Sequence, residues 1–419
     1  MIEWHAHLLE HGRSLGMLDL APCRSAAQVL DLVADRADAR PPHARAAPIL
    51  GFGARPESWD RPEWPTLAAL DRAAGPAPCC LWCFDYHALL ANSAALALAG
   101  FADASPDPAH GVLCRDDRGH LTGLLLESAA GIAWNAVPKQ FPELPGDPLL
   151  AGLEDLARRG YRAVHDLKSQ VDLGAQLASL AADGRLPLAV ALFPLVEDLP
   201  AALATRRDWE SGEVRLVGGK IFVDGTLNSR TAWMLEPYAD ARPDHPTGMA
   251  MMTPDEIDAA LRACLDAGLQ MAAHAIGDGA VRAVLDAAER MRAPRHTVRI
   301  EHAEVIHPRD LPRFGELGVI ASVQPCHLLT DIEALARAIP DRLDRVLPLR
   351  SLIESGLVPG ESLVFGSDAP IVPPVAEDSI LAATQRRRAG MDARDAITPA
   401  EAIDESAAWA CFNREAGPV

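Results

Sequence analysis

The 419-residue sequence predicts an α/β fold, a (β/α)8 TIM barrel with a large insertion after its first strand. Three observations predict it. Eight short β-like runs alternate with Ala-, Leu- and Arg-rich helical stretches, the pattern of βα units around a parallel sheet. No Gly-rich phosphate loop follows any of these runs, which disfavours an open dinucleotide-binding sheet. The first two runs lie about 150 residues apart, far beyond an ordinary βα connection, so that stretch reads as an insertion.

In chain order the predicted strands are Ile2–His7, Tyr161–Leu167, Leu186–Phe193, Val214–Asp224, Leu269–Ile276, Thr297–Ala303, Val319–Gln324 and Ser362–Ser367. Helical segments follow most of them, for example Pro254–Ala267 and Gly279–Met291, and Thr253-x-x-Glu256 is a capping box opening the first of these. A last helix is expected over Pro399–Cys411. The long first interval carries proline punctuation at Pro41-Pro42 and around Asp103–Pro108, and a strand-like piece of its own, Cys79–Asp85. The chain therefore reads as one barrel domain, 1–419, with an inserted subdomain at about 40–150 over the mouth of the barrel.

Composition excludes several classes. Hydrophobic residues make up 49% of the chain and mean hydropathy is +0.03, as in an ordinary globular protein. A net charge of −19 argues against nucleic acid and against anionic membrane surfaces. No apolar run reaches the roughly 18 to 20 residues of a spanning helix. The first residues carry no basic leader or apolar signal core, so a cytoplasmic location is expected. The eight cysteines are scattered, with Cys80-x-x-Cys83 the one suggestive spacing, and reduced thiols fit best.

Barrel active sites sit where strands end, so the polar residues at those ends carry the chemistry. The first strand ends in His5-Ala6-His7, and a strand's period of two sends both imidazoles to the same side. The fourth carries Lys220 and Asp224, the fifth ends in His274, the sixth in His302 and the eighth in Asp368. Core packing would not place polar residues at strand ends so repeatedly. A His-rich set with one carboxylate suits zinc or a similar divalent ion. The chain's only lysines are Lys139, Lys168 and Lys220. A lysine amine can take up carbon dioxide as a carbamate that bridges two metals, whereas arginine cannot lose its proton. Lys220 is the candidate for this role and Lys168 its rival.

These residues match a known family. The chain resembles the metal-dependent amidohydrolase superfamily, in its N-substituted formamide deformylase-like branch (amidohydrolase family 3). The matching stretches are His5-Ala-His-Leu8, the run from Lys220 to Ala232, and His274-Ala-Ile-Gly-Asp278. Arg299-Ile-Glu-His-Ala303, Ser322-Val-Gln-Pro-Cys-His327 and Gly366-Ser-Asp-Ala-Pro370 complete them. A weaker match covers Asp85-Tyr-His87, Asn92–Leu96 and Gly123–Glu127. The resemblance implies a barrel with one or two metals. His5, His7, His274, His302 and Asp368 would be ligands, Lys220 the carbamylated bridge, and Asp368 also the proton shuttle. Family members usually add a small β-sandwich, which looks missing or reduced here.

The implied chemistry is hydrolysis of a non-peptide, amide-like C–N bond in a small molecule by metal-activated water. Zinc is the expected metal; manganese or iron would also serve. Expected substrate contacts are His87, Asp224, Arg230, Asp278, Gln324 and His327. Ester or lactone hydrolysis at the same site stays open, as does a catalytically silent binding barrel. Self-association as a homodimer also stays open.

Overall fold

A computed structural model describes residues 1–56, 59, 61–84, 86–109, 111–140, 147–241 and 245–413. The chain divides into two compact units. One is Met1–Leu8 with Leu153–Val419; the other is Leu9–Gly152.

Its strands, in chain order, are β1 (Ile2–Ala6), β2 (Leu18–Asp19), β3 (Ile49–Ala54), β4 (Cys79–Cys83), β5 (Ala88–Ala91), β6 (Gly111–Arg115), β7 (Leu121–Glu127), β8 (Ala163–Ser169), β9 (Ala189–Pro194), β10 (Val214–Leu216), β11 (Gly218–Phe222), β12 (Gln270–Ala275), β13 (Val298–His302), β14 (Ile320–Val323) and β15 (Leu363–Phe365).

In the first unit every strand pairing is parallel. One sheet runs β1-β8-β9-β10 and the other runs β11 to β15 in sequence order. Single bridges link Ala6 of β1 to Ala369, just past β15, and Leu195, just past β9, to Lys220 of β11. This is the α/β arrangement of a TIM-barrel-type domain. Strands such as β9 (AVALFP) are apolar almost throughout, as a sheet covered on both sides requires. The intervening helices bury one stripe each. Over Pro254–Asp266 that stripe is Ile257, Ala260, Leu261 and Cys264, and the helix opens on the expected capping box of Thr253 and Glu256.

Two expected elements are broken. The predicted strand Val214–Asp224 is two strands, because the Val217 N–H donates to the Leu192 carbonyl and the chain then changes partners to β12. The turn-over point is Gly218, where any Cβ would sit 2.4 Å from the Phe193 ring. The predicted helix Pro399–Cys411 is a 3-10 turn, Pro399–Glu401, and a separate helix, Glu405–Ala410. Ile403 leaves the helical path between them to donate to the Ala383 carbonyl.

The second unit holds a mixed sheet in the order β2-β3-β4-β5-β7-β6 over its own apolar clusters. It starts at Leu9 and not near residue 40, because β2 and the helix Ala26–Asp38 belong to its core. The strand expected at Cys79–Asp85 is β4; Asp85 lies outside the described residues. Cys80 and Cys83 are buried and form no disulfide, and burial pushes the Cys80 thiol up to about 12, which disfavours the reactive thiolate.

Gly366 positions the first strand against the last. A Cβ there would lie 2.6 Å from the His5 backbone nitrogen and 2.8 Å from Glu3 Oε1. Gly366→Ala is therefore expected to cost about 1–3 kcal/mol of stability, as overpacking does. A melting temperature several degrees lower in a thermal scan checks this; an unchanged one would show that the approach is soft.

Candidate metal centre

The polar ends of β1, β12, β13 and β15 meet. His5 Nε2 and His7 Nε2 lie 3.2 and 3.1 Å from the same atom, Asp368 Oδ1. The His302 ring sits 5.0 Å from that of His5, and the His274 ring 4.5 Å from that of His302. One ligand atom each from His5, His302 and Asp368 falls within 4.8 Å of the others, and all three residues are buried.

The tautomers follow from the outer partners. His7 Nδ1 is 2.6 Å from the Leu167 carbonyl, which can accept but not donate, so Nδ1 carries the proton. His5 Nδ1 likewise donates to Glu301 Oε2 at 2.7 Å. Nε2 of both rings then faces the Asp368 carboxylate, with a lone pair when the ring is neutral and an N–H when it is protonated. Lone pairs and an anion turned toward one point repel unless a cation or proton stands among them. Burial would raise the Asp368 carboxyl, but the His5 and His7 imidazoles outweigh it and hold the group well below the usual carboxylate range. Burial pushes His302 well below the ordinary imidazole value and His274 down to about 3, so both stay uncharged. His274 Nε2 donates to the Gly225 carbonyl at 3.1 Å, leaving Nδ1 as its lone pair. His302 Nδ1 has no hydrogen-bond partner among the described residues.

Lys220 is 1% exposed and its Nζ has no hydrogen-bond partner among the described residues. Burial lowers its pKa to about 8, against the opposing pull of Glu301 and Asp368. Lys168, the rival, is solvent-exposed.

The remaining expected residues divide. Gln324 and His327 lie beside the cluster. Gln324 Nε2 is 3.3 Å from His5 Nδ1, and His327 Nε2 donates to the Ser367 carbonyl with its ring 6.1 Å from that of His302. Asp224, Asp278 and Arg230 were expected to contact substrate, but here the protein itself engages them. Asp224 accepts the backbone N–H groups of Trp233, Ile276 and Gly277. Asp278 accepts the Leu235 N–H and pairs with Arg345. The fork of Arg230 is filled by Asp240, at 2.7 and 2.5 Å, so no substrate carboxylate is needed to explain it. His87 belongs to the second unit, where it pairs with Glu127 at 3.0 Å.

Sequence reasoning missed the supports. Glu301 is fully buried and ion-pairs with Arg299, which also donates to Ser322 Oγ and the Trp4 carbonyl and bonds His165 Nδ1. Glu3 Oε1 accepts the His5 and Ser367 N–H groups, bracketing both sides of the site. The signal was there: Arg299 and Glu301, two apart on a strand, must share one face.

Imidazoles around an ionised carboxylate form the donor set of a divalent metal, and with this fold they define a metal-dependent hydrolase. The comparisons agree. Residues 1–413 match the model of the amidohydrolase family. The chain belongs to that family. It is 30% identical over 387 residues to Bacillus subtilis YtcJ, an amidohydrolase by name, covering 89% of this chain and 70% of that protein. It is 28% identical over 311 residues to the N-substituted formamide deformylase of Arthrobacter pascens, covering 70% of this chain and 56% of that one. A metal-dependent hydrolase from Pyrococcus horikoshii superposes with a TM-score of 0.74 at 25% identity, over 97% of this chain and 78% of its own.

Glu301→Gln keeps the shape but loses the charge that holds the His5 tautomer. It is expected to weaken metal binding about 10- to 100-fold, the usual effect of removing a ligand's outer partner. Competition with a chromogenic chelator measures this; unchanged affinity would remove Glu301 from the site.

Proposed function

We propose that the protein hydrolyses a non-peptide, amide-like C–N bond of a small molecule at a zinc centre held by His5, His7, His274, His302 and Asp368. The carrying observation is the buried convergence of His5, His302 and Asp368, with Nε2 of His5 and His7 directed at one carboxylate oxygen. We take the two parallel sheets to close on each other as a (β/α)8 barrel, a reading that the Ala6–Ala369 and Leu195–Lys220 bridges support.

A bound divalent metal supplies Lewis acidity and lowers the pKa of water from about 15.7 toward 7. The protein's own groups do the rest. Asp368 is held ionised, so its carboxylate can accept the proton of the attacking water and return it to the leaving nitrogen. Glu301 and the Leu167 carbonyl fix the His5 and His7 rings so that Nε2 faces inward. Lys220 has the attributes of a carbamylated bridge: a buried amine with no hydrogen-bond partner among the described residues, whose lowered pKa favours the neutral, nucleophilic form. The deformylase relative directs the choice of substrate toward N-substituted formamides and similar amides.

Asp368→Asn is expected to lower kcat on an N-substituted formamide by about 10²- to 10⁴-fold while part of the metal is retained. Turnover and metal content measured on one preparation check this, and full activity would remove Asp368 as the proton carrier. With ¹³C-bicarbonate, a carbamate carbon resonance should appear in the native protein and be absent from Lys220→Arg. A spectrum without it would make Lys220 a simple cation.

A further inference from the structure

Lys168 stands out in the sequence as one of only three lysines, and the proposed reaction leaves it unused. It lies at the C-terminal end of β8, next to Leu167, whose carbonyl holds the His7 ring.

Its backbone is out of the ordinary. Leu167 pairs with Phe193 and Ser169 with Pro194, so Lys168 is the extra residue of a β-bulge. Ser169 Oγ closes the bulge by accepting the Phe193 N–H at 3.1 Å. Lys168 has a φ of 65°, in the left-handed region where glycine costs least. A long side chain kept in that conformation points to a task, since such outliers cluster at functional sites. His302 and Asp368, two of the proposed ligands, share the region at φ 71° and 62°.

The bulge also aims the side chain. Lys168 Nζ lies 5.9 Å from the centre of the Phe222 ring, and that ring is 5.2 Å from the His274 imidazole. The ammonium therefore stands one aromatic ring away from the donor set. Lys168 is exposed, and its Nζ makes no ion pair or hydrogen bond among the described residues. A cation at the mouth of a site, without an acid of its own, is open to an anion brought by a ligand.

We propose that Lys168 binds a carboxylate on the nitrogen substituent of the substrate, which makes the substrate class N-acyl amino acids and similar amide acids. The inference rests on the C–N bond hydrolysis proposed above, in which a formyl-sized acyl group at the metal leaves only the nitrogen substituent to carry a charge. One ammonium matches one negative charge, and the Phe222 face beside it receives the apolar part of that substituent.

N-Formylphenylalanine and N-formylphenethylamine differ only in the carboxylate, and kcat and KM are measured for both with the zinc-loaded full chain. The acid is expected to show a KM about five-fold or more lower at similar kcat, because an ion pair made equally in ground and transition states changes binding alone. Lys168→Gln should bring the two KM values together by raising that of the acid, and Lys168→Arg should keep most of the preference. Lys168→Gly, which suits a positive φ, should lose the preference and melt no lower than the native protein, so that lost recognition is told apart from lost folding. Equal KM values in the native protein overturn the proposal, as does a preference that survives in Lys168→Gln or Lys168→Gly. If neither compound is cleaved, the reaction assigned to the metal centre fails instead, and calorimetric titration of the same pair into the native and Lys168→Gln proteins decides the carboxylate site. There, equal affinities, or no saturable binding of the acid at millimolar concentration, overturn it.

Discussion

Glu301 is a charge with no access to water, and the geometry around it depends on keeping that charge. Burial alone would protonate it; Arg299, His5 and Lys220 outweigh burial and hold it well below the ordinary carboxylate range. A protonated Glu301 would no longer compel the His5 Nδ1 proton, and the ring could present N–H instead of a lone pair to Asp368. Removing one partner of such a buried pair typically costs about 3–5 kcal/mol, so the site is tied to the stability of the fold around it. Arg299 carries the constraint outward to β1, β8 and β14 through Trp4, His165 and Ser322.

The inner set is the complement of that constraint. His274 and His302 are neutral, each imidazole of the set has one nitrogen directed by a protein acceptor or left without a partner among the described residues, and the carboxylate beside them is ionised. Such an arrangement is electrostatically incomplete by itself. It gains from a cation, and the enclosing burial strengthens that gain because little water screens it.

The strand ends were legible in the sequence because a buried parallel sheet imposes apolar runs, and polar residues at their ends stand out. His5, His7, His274, His302 and Asp368 were found this way, and the structure brings them together. Lys220 stood out by residue choice in an Arg-rich chain, and burial separates it from Lys168. The supports were less visible. Glu301 reaches His5 and Glu3 reaches Ser367, partners far along the chain, and a single strand does not show which distant group an interior acid meets. The engagement of Arg230 was hidden for a similar reason. Its partner Asp240 lies in an irregular segment whose path no periodicity dictates. The division of Val214–Asp224 was hidden because Gly218 matters only against Phe193, a neighbour on another strand.

Glu3 joins the His5 backbone to that of Ser367, 364 positions from Glu3 itself, through one carboxylate oxygen. On a ribosome making about 5–20 residues per second, roughly 20 to 70 s separate the emergence of the two. Throughout that interval His5 and His7 are present without the carboxylate that gathers them. The nascent chain therefore cannot assemble this donor set early, and a metal ion meets the complete cluster only after nearly all the sequence has been made.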